Sequence, residues 1–175
     1  DLGRKQAEEN GKLLRQLLAR DGRENSAFGW YVSPLGRTRE TMERVRRQFD
    51  VPLPDVTVDP RLIEISFGVY EGRLHKELSR SEMTIAGERD AHFWGYRPPE
   101  GESYADLAGR VADFGRSLTG PSIVVAHGGL LRVLMHLIEG YSQTTAVNWF
   151  PPQDSVTHFV DGRATLYPAG ASRDD

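Results

Sequence analysis

Cysteine is missing from all 175 residues, which excludes a disulfide framework, a cysteine-ligated metal and thiol chemistry. Such a chain suits a reducing compartment, and a cytoplasmic location is the expectation. Long apolar runs are missing as well. The best candidate, around residues 122–138, is interrupted by Arg132 and His136 and falls short of the roughly 20 residues a membrane helix needs, so no membrane partner is expected. A large excess of charge of one sign is missing too. A net charge of -3 and a pI near 6.0 offer no general polyanion surface, so nucleic acid is not expected as a partner and affinity for phosphate has to come from a few placed residues. There is also no G-x-G-x-x-G, no Walker loop, no H-E-x-x-H and no G-x-S-x-G elbow, which removes the common dinucleotide, P-loop, zinc-protease and serine-hydrolase signatures. The chain opens at Asp1 rather than Met and enters a helical pattern almost at once, with no secretory apolar segment. A further upstream segment is therefore expected.

What is present is a hydrophobic fraction of 38%, enough for one sizeable core and best suited to a single domain over residues 1–175. Over residues 5–20, Ala7, Leu14, Leu17 and Leu18 share one helical face, with Asn10 and Gly11 allowing close packing. Residues 28–32 read as a strand. Ser33-Pro34 is expected to cap the helix that follows, whose core face is Met42, Val45 and Phe49. Val56 to Val58 is a short strand, and residues 61–72, broken by two glycines, read as a loop beside a site. Residues 73–99 turn from charged to aromatic and suit either a lid or a packed surface excursion. Ser103 and Asp106 form a capping box ahead of Tyr104, Leu107, Val111, Phe114 and Leu118, a clear amphipathic helix. The stretch 122–126 is a strand, and Leu130, Leu131, Leu134, Leu137 and Ile138 mark the helix after it. Two final strands flank Asp161-Gly162. Helices alternating with short apolar strands give an α/β fold: a three-layer α/β/α sandwich with a mostly parallel central sheet.

In an open parallel sheet the ligand site lies beyond the carboxyl ends of the strands. Two junctions there carry unusual residues: Val32-Ser33-Pro34-Leu35-Gly36-Arg37 and Ala126-His127-Gly128-Gly129. Read alone, Arg37 suits a solvated surface as well as a site, since Arg39, Arg44, Arg46 and Arg47 follow it. At the first turn of a helix, however, its guanidinium fork can join free N–H groups in holding an anion. His127 read alone suits a satisfied buried histidine, but the two glycines after it let backbone approach a ligand closely. Glu64, set among Leu62, Ile63, Ile65 and Phe67, is either an outward loop residue or a partly desolvated acid with a raised pKa, useful to a general acid.

Taken in order, "DLGRKQA", "SPLGRTRET", "RLIEISFGVYEG", "PEGESYADLAGRV" and "VVAHGGLLR" resemble the histidine phosphatase superfamily, the phosphoglycerate mutase-like proteins. The resemblance implies phosphoryl transfer from substrate to a histidine and then to water, or to a second hydroxyl in mutases, without a metal or cofactor. By position, Arg37 is similar to a phosphate-binding arginine, His127 to the second histidine of the pocket, Gly128 to a backbone phosphate contact and Glu64 to the proton donor. The family's R-H-G nucleophile motif after the first strand does not occur in this sequence, and the resemblance places it upstream of Asp1. The implied function is hydrolysis of small phosphate monoesters; alternatives are mutase-type transfer and a catalytically inactive phospho-ligand binding module. Trp94, Tyr96 and Arg97 are candidate contacts to the organic part of a substrate. The expected partner is a small phosphorylated molecule, with a homodimer left open.

Overall fold

The computed structural model describes residues 1–23, 27–72 and 93–170. Residues 73–92 of the expected lid lie outside them. Three short strands, β1 (Gly29–Val32), β2 (Val56–Val58) and β3 (Ser122–Val125), form a parallel sheet in the order β2-β1-β3, with Val32 level with both Val58 and Val125. Strand alternation sends Trp30, Val32 and Ile123 to one face and Tyr31 to the other.

On the first face, α1 (Leu2–Arg20) and α2 (Gly36–Arg46) supply Leu18, Met42 and Val45, and Phe49 meets Trp30 edge-on at 5.6 Å. The two helices approach closely at Gly11, where an added Cβ would stand 2.7 Å from the Val45 carbonyl oxygen. On the second face, α3 (Tyr104–Ser117), α4 (Gly128–Leu134) and α5 (Gln143–Asn148) bring in Leu107, Val111, Leu130, Val133 and Val147. Phe114 of α3 lies edge-on to Tyr31 at 5.3 Å. The expected three layers are therefore present. The chain closes on an antiparallel hairpin of β4 (Ser155–Val160) and β5 (Arg163–Pro168), turned by Asp161 and Gly162 at φ 50° and 75°. Positive φ at both positions is what the Asp-Gly pair predicts.

The hairpin does not join the parallel sheet. Among the described residues, β3 pairs only with β1 and β4 only with β5, and between them lies a cavity of about 1200 Å³ lined by Val124, Asn10, Leu14, Leu131 and Val156. Val124, inside a strand, is 39% exposed in this slot, and Asn10, also on its lining, has a buried Oδ1 without a hydrogen-bond partner. No helix among the described residues is long and apolar enough to cross a membrane.

Two local expectations need correction. Ser33 does not cap α2: the helix begins at Gly36 with Leu35 at the cap. The Ser33 N–H instead donates to the Val125 carbonyl at 3.1 Å, extending the β1–β3 ladder, and its hydroxyl oxygen lies 2.7 Å from His127 while accepting the Leu35 N–H, ahead of the helix, at 3.5 Å. The α-helix marked by Leu130, Leu131, Leu134, Leu137 and Ile138 ends at Leu134, and Leu137 and Ile138 are 44% and 36% exposed. After Leu134 the helix widens into a π turn, Met135–Glu139, whose extra residue per turn rotates the apolar stripe and buries Met135 instead.

Candidate functional site

The register of β1 and β3 brings their carboxyl ends level, so the chain leaves both strands at the same edge of the sheet. The first exit is held by Thr38, whose buried hydroxyl donates to the Ser33 carbonyl at 3.1 Å and the Leu35 carbonyl at 2.7 Å. This tight turn puts Arg37 in the first turn of α2, pointing across to the second exit. There Arg37 Nη2 lies 3.2 Å from His127 Nδ1, and the other ring nitrogen, Nε2, lies 2.7 Å from Ser33 Oγ. Ser33 is fully buried. His127 is half-buried, and that loss of water, with the positive charges of Arg37 and Arg110 adding to it, pushes its pKa down from 6.5 to about 4. The ring is therefore neutral at pH 7.

Glu64 arrives from the loop between the single 3-10 turns Pro60–Leu62 and Gly68–Tyr70. Its carboxylate accepts the Ile65 N–H at 3.0 Å and the Gly129 N–H at 3.3 Å. Gly129 is required for this approach, because an added Cβ would stand 2.4 Å from Glu64 Oε1. Arg37, Glu64, His127 and Gly128 all line the cavity described above. One guanidinium, one imidazole, one carboxyl and the first turn of α4 thus share a wall, a set suited to holding a tetrahedral anion and passing a proton to one of its oxygens.

The loop bearing Glu64 is braced by residues whose part the sequence reading missed. Glu102 accepts two bonds from Arg110 at 2.9 Å each and one from the Ser66 N–H at 3.4 Å, while Arg110 also donates to the Arg61 carbonyl at 2.6 Å. Gly68, at φ 55°, packs where a Cβ would come 2.0 Å from the Pro99 carbonyl oxygen. Ser33 was missed as well. Its position directly after a strand was the available signal, hidden by its resemblance to a helix cap.

The aromatic candidates lie elsewhere. Trp94 stacks on Tyr104, 5.9 Å between centroids and 25° between planes, and its ring is 4.6 Å from that of His136. Arg97 pairs with Asp106 of the α3 capping box. Hydrogen bonds from the Ser103 hydroxyl and N–H, with Arg97 beside them, hold the Asp106 carboxyl at about 2. Tyr96 is half-buried in the same segment. Trp94, Tyr96 and Arg97 are not among the residues lining the cavity of Arg37, Glu64 and His127.

Known proteins are similar to this chain in sequence and in fold. The family model described as histidine phosphatase superfamily (branch 1) matches residues 1–164. The phosphoglycerate mutase-like protein AT74H of Arabidopsis thaliana is 32% identical over 153 residues, covering 76% of this chain and 53% of the relative. The chain spans about half the length of the first curated relatives it matches. Among solved structures, Bacillus stearothermophilus YhfR is 30% identical with a TM-score of 0.67, over 95% of this chain and 81% of that one. The alpha-ribazole phosphatase of Shigella flexneri is 25% identical with a TM-score of 0.67, over 94% and 80%.

Proposed function

Since the chain belongs to branch 1 of the histidine phosphatase superfamily, we propose that it hydrolyses small phosphate monoesters through a phosphohistidine intermediate. Arg37, His127 and the N–H groups at Gly128 hold the phosphoryl oxygens, and Glu64 serves as the acid. The nucleophilic histidine comes from a segment upstream of Asp1, whose strand seats in the slot between β3 and β4. The histidine nitrogen attacks phosphorus as the bond to the leaving oxygen breaks, and Glu64 gives that oxygen its proton. Water then attacks the phosphohistidine, Glu64 takes a proton from it, the P–N bond breaks and phosphate leaves. Negative charge on the equatorial oxygens is met by fixed donors, so the chemistry proceeds without a metal. The setting is the cytoplasm, and the substrate is a small soluble ester.

The observation that carries this reading is the 3.2 Å approach of Arg37 to His127 at the tips of two adjacent parallel strands, with Glu64 held on the Gly129 N–H. The mutase-like name of the Arabidopsis relative supports a second reading, in which a sugar or glycerate hydroxyl replaces water as acceptor. The test is a panel of phosphosugars, phosphoglycerates and nucleotides turned over by the full-length protein, with and without chelator. Released phosphate and an acid-labile phosphoenzyme are expected; turnover that requires added metal would overturn the mechanism.

A further inference from the structure

Ser33 has no part in the chemistry just described, yet it is fully buried and its hydroxyl makes the shortest contact to His127, at 2.7 Å. The direction of the hydrogen bonds follows from the other side of the ring. Arg37 carries only donors and stays protonated, so at 3.2 Å its Nη2–H donates to His127 Nδ1, which must hold a lone pair there. The proton of the neutral ring is then on Nε2 and is donated to Ser33 Oγ. This neutral tautomer cannot offer an anion a hydrogen bond from Nδ1, the nitrogen that faces Arg37.

We infer that Ser33 is a positioning residue: by accepting the Nε2–H of His127 it keeps Nδ1 facing Arg37, so that an incoming oxyanion binds together with one proton, taken up from solvent at Nδ1. The inference rests on the phosphate-pocket reading above. The charges around the ring supply the coupling. Burial, with the positive charges of Arg37 of α2 and Arg110 of α3, disfavours the imidazolium, and Glu64 of the neighbouring loop is held by the Ile65 and Gly129 N–H groups. An anion gives the Arg37 fork a new acceptor, frees Nδ1, and places negative charge beside it. The new N–H bond then points at an anion oxygen, while Nε2–H keeps its bond to Ser33.

Sulfate is the probe, since it does not itself titrate near neutrality. Calorimetry on the full-length protein, in buffers of different ionisation enthalpy between pH 6 and 7, should report close to one proton taken up per sulfate bound. Over that range Kd should rise about tenfold per pH unit, the slope of one linked proton. In Ser33→Ala the ring is free to present a neutral Nδ1–H, so proton uptake should fall well below one and the pH dependence flatten. A purely structural role for Ser33 would weaken binding equally at every pH. Nitrogen NMR of the wild-type histidines tests the same point without a variant: the Nε2–H tautomer of His127 is required in the empty protein. Sulfate bound without proton uptake, unchanged uptake in Ser33→Ala, or an Nδ1–H tautomer would overturn this inference alone. No sulfate binding at all would overturn the phosphate-pocket reading and this inference with it.

Discussion

The strand tips at Ser33–Arg37 and Ala126–Gly129 and the segment Phe93–Arg97 look equally functional as composition, since each combines a cation with a ring. The fold separates them. At the strand tips Arg37 and His127 meet at 3.2 Å on the lining of one cavity, because two parallel strands in register must release their chains at one edge. In the segment Phe93–Arg97, Trp94 and Phe93 lie on Tyr104 at 5.9 and 5.4 Å, and Arg97 closes on the α3 cap. Those contacts brace a helix start. Position on the sheet, more than residue type, separates the residues gathered at the cavity from those packed on a helix start.

Substitutions can break or sharpen that distinction. The largest effect is expected from Glu64→Gln, which should slow hydrolysis of esters with poor alkoxide leaving groups by about 10²- to 10⁴-fold, while p-nitrophenyl phosphate suffers far less. Equal losses on both substrates would show that Glu64 shapes the loop instead of moving a proton. Arg37→Ala should lower kcat/KM by about 10²- to 10³-fold, the usual cost of one electrostatic donor at a transition state, with little change in thermal stability. On the other side of the comparison, Trp94→Ala should cost about 1–2 kcal/mol of stability through lost stacking and burial, measured by denaturant titration, with kcat/KM changed only a few-fold. A loss of activity larger than the loss of stability would return Trp94 to the substrate.

A smaller effect comes from pH. The His127 pKa is lowered to about 4 by burial and its cationic neighbours, so between pH 6.5 and 4 the unfolded chain binds more protons than the folded one. Stability is then full above 6.5 and declines as pH falls toward 4. His127→Asn should flatten that slope in melting curves taken across the range; an unchanged slope would mean His127 is not the titrating group.

Much of this was legible in the sequence, and for identifiable reasons. His127 and Arg37 stood out because a strand followed by Gly128-Gly129, or by Gly36 and a helix, fixes the end of the sheet they occupy. The Ser103–Asp106 capping box and the Asp161-Gly162 turn are local chemistry and formed as read. Ser33 was misread because a serine before a proline has the local features of a helix cap, whereas its partners, Val125 and His127, are about 90 residues away. The Glu102–Arg110 brace depends in the same way on a loop 36 residues upstream. The π turn at Met135 has no signature in an apolar run, so the register of Leu137 and Ile138 could not be read from spacing.

The central claim is that Arg37, His127 and Glu64 surround one phosphoryl group. A crystal structure of the full-length protein soaked with vanadate, without divalent metal, tests it most directly. The account predicts vanadium bonded to a histidine nitrogen from the upstream segment, oxygens within hydrogen-bond distance of Arg37 and of His127 Nδ1, and Glu64 beside the apical oxygen. Vanadate bound away from Arg37 and His127, or bound there only through a metal ion, would contradict it.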